Sequence, residues 1–501
     1  MAENEVRLAY SGVILFVSKI LSVGTGLVFS LMVTRSLIDP RLELGIYSNL
    51  NDTLGYFVLP ATIIPFWTTR FTARNHAGAP KTGLTANLVL SAIFAAIYLL
   101  LLPAITSAFQ IGEAYAILYI VVVFQILELF TLHGFEAILH AKQPQKIAYG
   151  FLIFEVCKVI LGYALIVHQG LTGPAALLAA VTSIIIAYTL QFIFYLRLTA
   201  HELRGKVKWG YLKEWFKASP VNLYNIGGQR LAVFVLILLF IFEGEARGDF
   251  RAGQIIANII VYSSFLAFAL YPKLLSKTDP KDVSASLKLV LMFAIPMTVG
   301  AIVLSDSYVT IMRPEFGLAG PVLMILALNA LCLSMLTVFG FIISGTEKVD
   351  EKAKIPFRKL VKTRLFLIYT LPYIKAGVLL PLTYFFLTTM TETTIGAATF
   401  VAAIILLTDI PLLFATYAIA KRCVDFRMPW KNIAKYVVAS TIMGVVLFFI
   451  PQRARILYTL AVTLLGGAIY LLTLLATDGE ARSLGKVIIQ EALRMTKLSK
   501  R

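Results

Sequence analysis

The chain has 501 residues, 59% of them hydrophobic and 14% charged, with a formal net charge of +18. A soluble domain carries about 25% charged residues, so the composition leaves no room for a sizeable soluble domain and suits one large apolar helical bundle. The three cysteines (Cys157, Cys332, Cys423) lack metal-ligand spacing, so free thiols are expected rather than a disulfide framework.

Along the chain, runs of about twenty apolar residues alternate with short polar breaks, and each run can cross a ~30 Å hydrocarbon core as a helix. Residues 1–7 are short and polar, and the first run has no small-residue cleavage site, so it reads as a retained span. Spans are predicted at 10–33, 46–66, 84–108, 115–139, 147–167 and 174–196. After a polar break they continue at 219–242, 254–271, 287–304, 319–343, 365–388, 395–420, 433–450 and 456–476. Lipid cannot satisfy backbone amides, so each span must be helical. The predicted fold class is an all-α polytopic membrane protein with about 14 transmembrane helices.

Lysine and arginine alternate across the breaks. With the N-terminus inside, 33 of the 45 fall in cytoplasmic segments and 7 in the opposite loops. The positive-inside rule then puts both termini in the cytoplasm of a multi-pass protein of the cell membrane. Topology alone accounts for most of the net charge, and no nucleic-acid partner is needed. The basic breaks 197–217 and 348–364 read as solvated loops, and secondly as contacts to anionic membrane lipids. In the tail, Leu484, Ile488, Met495 and Leu498 share one helical face, as in an interfacial amphipathic helix.

The linker 201–218 divides twelve spans into an N-terminal lobe (1–200) and a C-terminal lobe (219–422), followed by two added spans (423–476) and the tail 477–501. The halves share their polar punctuation. Gly45-Ile46-Tyr47 corresponds to Gly253-Gln254-Ile255, and Pro65 to Pro272, at an interval of about 208 residues. Two six-helix lobes related by a pseudo-twofold axis along the membrane normal are expected.

Thr34-Arg35-Ser36-Leu37, Pro40 and Gly45-Ile46-Tyr47 resemble the N-terminal signature of polysaccharide-biosynthesis flippases, within the multidrug/oligosaccharidyl-lipid/polysaccharide exporter (MATE-like) superfamily. Asp306-Ser307-Tyr308, Glu315-Phe316 and residues 319–328 resemble that family's segment entering the tenth helix. Fourteen spans are similar to its peptidoglycan-precursor and spore-wall branches. The resemblance implies a V-shaped, two-lobed flippase that moves a lipid-linked saccharide by alternating access. It would also place glycan-assembly enzymes among the partners.

Five cations fall inside spans: Lys19, Lys158, Arg230, Lys375 and Lys435. Lys435 sits near a span end and can snorkel. The other four lie roughly 14–16 Å from the cytoplasmic end at ~1.5 Å per residue, on spans one, five, seven and eleven. A charge at a helix centre costs about 2.5–3.5 kcal/mol, which is tolerable in a wet cavity or beside an anion. Lys19, Arg230, Lys158 and Lys375 are therefore the candidate ligands of a polyprenyl-linked sugar (di)phosphate, Arg230 gripping its oxygens bidentately. Ser11, Ser18, Ser22 and Thr25 on span one, with Asn222, Asn225 and Gln229 on span seven, form polar stripes that could bond sugar hydroxyls. Helix–helix contact is their alternative role. Internal pairing is the alternative for the cations: Glu155 lies three residues before Lys158, and Asp409 could neutralise Lys375. Glu128, His133, Glu136 and Asp409 are candidates for ion coupling.

A multidrug exporter of the same superfamily is the nearest rival, but a cation-lined cavity would repel cationic drugs. A membrane glycosyltransferase or polymerase is the rival from another class. The chain has no Asp-x-Asp, no His-Glu-x-x-His, no phosphate-cradling Gly-rich loop with Lys and no nucleophile elbow. No enzymatic activity, metal or cofactor is expected.

Overall fold

A computed structural model of the chain describes residues 22, 24–143, 145–267, 270, 274, 279–346, 364–390, 392–452, 455–479 and 482; the side chains of 145, 218, 221, 222 and 365 fall outside that description. Lys19, Ser18 and Ser11, the side chain of Asn222, most of the break 348–364 and the tail face 484–498 therefore lie outside the described residues.

Helix is the only regular structure among those residues. The chain divides into two compact units, one of Met1–Ile255 with Glu347–Thr408, the other of Ile256–Thr346 with Asp409–Arg501.

In the first unit, α1 covers residues 24–35. Next come α2 (Pro40–Phe57), a 3-10 turn (Leu59–Thr62) and α3 (Ile63–Ala73). Asp39 caps α2 by accepting from the Leu42 N–H at 3.2 Å, with Pro40 in the first turn. The expected single span 46–66 is thus broken. Pro60 lies in the turn between the two helices, and proline has no N–H and clashes with the preceding helical turn. There follow α4 (Ala79–Ala108), α5 (Glu113–Val121), α6 (Val123–Lys142), α7 (Gln145–Gly162), α8 (Gly173–Thr199), α9 (Gly210–Ala218), α10 (Pro220–Phe242) and the start of α11 (Gly244–Val261).

The short helix α9 docks back onto the bundle. Trp215 is buried against Ile64, Trp67 and Ala86, and the Trp67 indole donates to Ser219 Oγ at 3.1 Å. This part of the break 197–217 is therefore a docked helix rather than a wholly solvated loop. The unit is completed beyond residue 363 by α15 (Arg364–Thr389) and the first half of α16 (Thr394–Cys423). α15 packs along α10: the Tyr373 ring lies 4.6 Å from that of Tyr224 and its hydroxyl donates to the Tyr224 carbonyl at 2.7 Å. A Cβ on Gly228 would stand 2.6 Å from the Tyr373 ring, so the missing side chain allows the approach.

The second unit holds α12 (Pro280–Val303), α13 (Ser305–Met312), α14 (Gly320–Thr346), the end of α16, α17 (Trp430–Phe448) and α18 (Ile456–Thr477). Asp279 caps α12 by accepting from the Lys281 N–H at 2.9 Å. Lys435 does not simply snorkel: it bonds the buried Asp478 at 3.0 Å, pinning the ends of α17 and α18. Leu457, Leu464 and Phe448 stand exposed on these helices, as lipid-facing residues should.

Twelve helices among the described residues are long and apolar enough to span a bilayer, from Ala79–Ala108 to Ile456–Thr477. They coincide with the last twelve predicted spans. The other two predictions fall on 10–33, mostly outside the described residues, and on the broken segment. The chain is a multi-pass helical membrane protein.

Candidate functional site

The first unit contains three cavities strung along α2, the turn and α3. The first, about 340 Å³, is lined by Ser30, Tyr47, Asn51, Gln125, Lys158 and Arg251 among others. The second, about 540 Å³, is lined by Asn51, Gly55, Thr62, His133, Gln229 and Arg230. Asn51, Leu54 and Leu129 belong to both walls. The third, about 750 Å³, shares Thr62 and His133 with the second. On α6, Gln125, Leu129, His133, Glu136 and His140 recur every three or four residues, so one helical face serves all three cavities.

Arg230 stands in the middle cavity. Its guanidinium lies flat against Gly55, where an added Cβ would be 2.8 Å from Nη1 and 3.3 Å from Cζ. The Tyr56 hydroxyl donates to the Arg230 carbonyl at 2.8 Å. No carboxylate among the described residues is within ion-pair distance of Arg230. Gln229 lines the same cavity and donates to Asn225 Oδ1 at 3.3 Å.

Lys158 borders the first cavity but is neutralised from within α7. Its ammonium bonds the buried Glu155 at 2.8 Å and lies 4.9 Å from the Phe154 ring centroid. Glu155 also accepts from Ser22 at 2.9 Å and Thr25 at 2.6 Å. Ser22 thus spends its hydroxyl hydrogen on a carboxylate, the pairing alternative for this cluster.

Lys375 is half-buried on α15 and lines none of the three cavities. Glu128 accepts from Thr189 on α8 at 2.7 Å, away from the cavity face of α6. His133 bonds Glu136 at 3.1 Å on that face. Asp409 is buried on α16 in the second unit.

At its N-terminal end α2 meets α11 backbone to backbone. Gly45 packs on the Gly244 carbonyl and Gly248 on that of Arg41, approaches that only glycine permits. Arg41 Nε lies 3.0 Å from both carboxylate oxygens of Asp249, and Nη1 lies 3.0 Å from Glu245. Arg247, itself buried, bonds Asp52 at 2.6 Å. Asp52 is thus a paired residue of the helix contact. Sequence reasoning counted Arg70, Arg251, Arg41 and Arg247 as loop charges and missed their places at cavities and contacts. The interval of 208 residues between Arg41 and Asp249, equal to that between Gly45 and Gly253, was the available signal.

The chain matches no family model and no curated protein sequence. Solved structures do resemble it. The lipid II flippase MurJ in an inward closed conformation superposes with a TM-score of 0.65 at 14% identity, over 93% of this chain and 98% of that one. A point mutant of the Vibrio cholerae MATE transporter VcmN gives 0.54 at 14% identity, over 83% and 96%. An inward-facing multidrug resistance MATE transporter of the MOP superfamily gives 0.54 at 14% identity, over 80% and 94%. By architecture the chain has the polytopic helical fold that MurJ and the MATE transporters share.

Proposed function

We propose that the protein is a flippase that carries a polyprenyl-(di)phosphate-linked saccharide across the cytoplasmic membrane. The observation that carries this reading is Arg230, an intramembrane guanidinium at a cavity of about 540 Å³ with no carboxylate partner among the described residues. A desolvated, unneutralised guanidinium is costly unless water or an anion meets it. A diphosphate supplies the bidentate acceptor that its planar fork matches. Arg251 and Lys158, the latter paired with Glu155, border the adjoining cavity, and Asn51 and Gln229 offer amides to sugar hydroxyls. Lys19, Lys375, Ser18 and Asn222 remain proposed contributors, and the His133–Glu136 pair the proposed proton carrier. Both termini lie in the cytoplasm, and the cavity opens alternately to either side while the polyprenyl chain stays in lipid. The fold shared with a lipid II flippase supports the cargo class.

A second reading, multidrug export, draws on the fold shared with MATE transporters. The sign of the cavity charge disfavours a cationic drug. The test uses proteoliposomes loaded with a fluorescent polyprenyl-diphosphate oligosaccharide. Wild-type protein should flip it, and Arg230→Ala should lower the rate about 10- to 100-fold, since a hydrogen bond to a charged group contributes roughly 1.5–3 kcal/mol. Unchanged flipping by Arg230→Ala, or transport of a lipophilic cation instead, overturns the proposal.

A further inference from the structure

The smallest of the three cavities, about 340 Å³, takes its walls partly from α6, α7 and α8. Gln125 and Leu129 on α6, Phe154 and Lys158 on α7, and Ile184 and Tyr188 on α8 all line it. Each pair is four residues apart, the spacing that puts both side chains on one helical face. Gln125 is only 3% exposed, yet its side-chain amide makes no hydrogen bond among the described residues. The Tyr188 ring is stacked on that of Phe154, centroids 4.3 Å apart, and its hydroxyl likewise has no hydrogen-bond partner among the described residues. Phe29 and Tyr47 add two more rings to the wall. Both cations of the lining are engaged within their own helices: Lys158 bonds Glu155 at 2.8 Å and Arg251 bonds Gln254 at 3.1 Å. No carboxylate among the described residues lines the cavity.

We propose that this cavity is the saccharide subsite, with Gln125 and the Tyr188 hydroxyl bonding hydroxyls of the sugar next to the diphosphate. A hydrocarbon guest would strand the buried Gln125 amide, which is costly. A compact inorganic anion would leave the aromatic wall without contact. A sugar ring meets both demands, its hydroxyls pairing with amide and phenol while its C–H faces pack on the rings. The volume is within the usual range of ligand pockets, roughly 300–1,000 Å³. This inference rests on the transport reading and gives the cargo a direction. The cavity shares Asn51, Leu54 and Leu129 with that of Arg230. From α2 it adds Leu44 and Tyr47, whereas the Arg230 cavity adds Gly55 from α2 and Leu59 beyond it. With the diphosphate on Arg230, the sugar therefore lies toward the N-terminal end of α2, the end that the proposed topology puts at the outer face.

Native mass spectrometry of the full chain, titrated with polyprenyl diphosphate or with its disaccharide-bearing form, tests the assignment. The wild type should hold the glycosylated lipid at least tenfold more tightly than the bare diphosphate. Gln125→Leu and Tyr188→Phe should each weaken binding of the glycosylated lipid about 3- to 10-fold, the loss of one neutral hydrogen bond. Both variants should bind the bare diphosphate as the wild type does, which also shows that they are folded. Arg230→Gln should weaken binding of both lipids. Equal affinity of the wild type for the two lipids overturns the subsite and leaves the diphosphate reading standing. So does unchanged binding of the glycosylated lipid by both variants, or an equal loss on both lipids. A wild type that binds neither lipid overturns the subsite and the transport reading together.

Discussion

The Lys158–Glu155 pair and Arg230 are opposite answers to one problem, a cation that must sit within a bilayer span. Lys158 is met by a carboxylate one helical turn away, which two hydroxyls fix in place. Breaking a buried pair from one side costs about 3–5 kcal/mol, because the remaining charge is stranded. Glu155→Gln should therefore lower the melting temperature in detergent markedly, and Glu155→Gln with Lys158→Met should recover much of the loss. Arg230 instead rests on a glycine. Gly55→Leu should push its guanidinium aside and cut flipping as Arg230→Ala does, with the melting temperature little changed; full flipping by that variant would show that the seat is irrelevant. Both cations were legible in the sequence, because a charge inside a run of apolar residues stands out. Arg70 and Arg251 were not, since a count by hydropathy assigns any cation near a span end to a loop. Nor could the sequence show that Ser22 turns to Glu155, a residue 133 positions away.

At the level of helices, legibility followed length. Runs of twenty apolar residues were read correctly from residue 79 onward, because a bilayer allows them one conformation. The segment 46–66 misled because its first half is polar on one face and its proline ends the helix early. That break sets α2 and α3 as separate walls of adjoining cavities. Helix α9 spans nine residues, too few for a helical period to stand out from a basic linker. Its anchor is Trp215, and truncating a buried tryptophan costs about 3–5 kcal/mol. Trp215→Ala should destabilise the protein by that order in thermal unfolding, whereas Phe216→Ser, at an exposed position on the same helix, should fall within about 0.5 kcal/mol.

For the whole molecule, the charge asymmetry makes a topological prediction. In a cysteine-free background, Lys206→Cys should react with an impermeant maleimide only from the cytoplasmic side and Glu113→Cys only from the opposite side. Labelling of both from one side would invert or break the proposed topology. The contact of α2 with α11 is open to a similar check. Cysteines placed at Leu42 and Gly244, where a Cβ added to the glycine would stand 3.2 Å from Leu42 Cδ1, should cross-link in the wild-type background. The yield should fall with Arg41→Ala and return when Arg41→Asp is combined with Asp249→Arg.

That ion pair also constrains how such a chain could have arisen from a duplicated half. Were residues 41 and 249 copies of one ancestral amino acid, arginine would confront arginine, or aspartate aspartate. At 3.0 Å two like charges repel by roughly 5 kcal/mol at an effective dielectric constant of ~20, enough to prise the helices apart. Mutual attraction at this spot requires that the two copies cease to be copies, so a synthetic tandem of either half alone should fail to seal there.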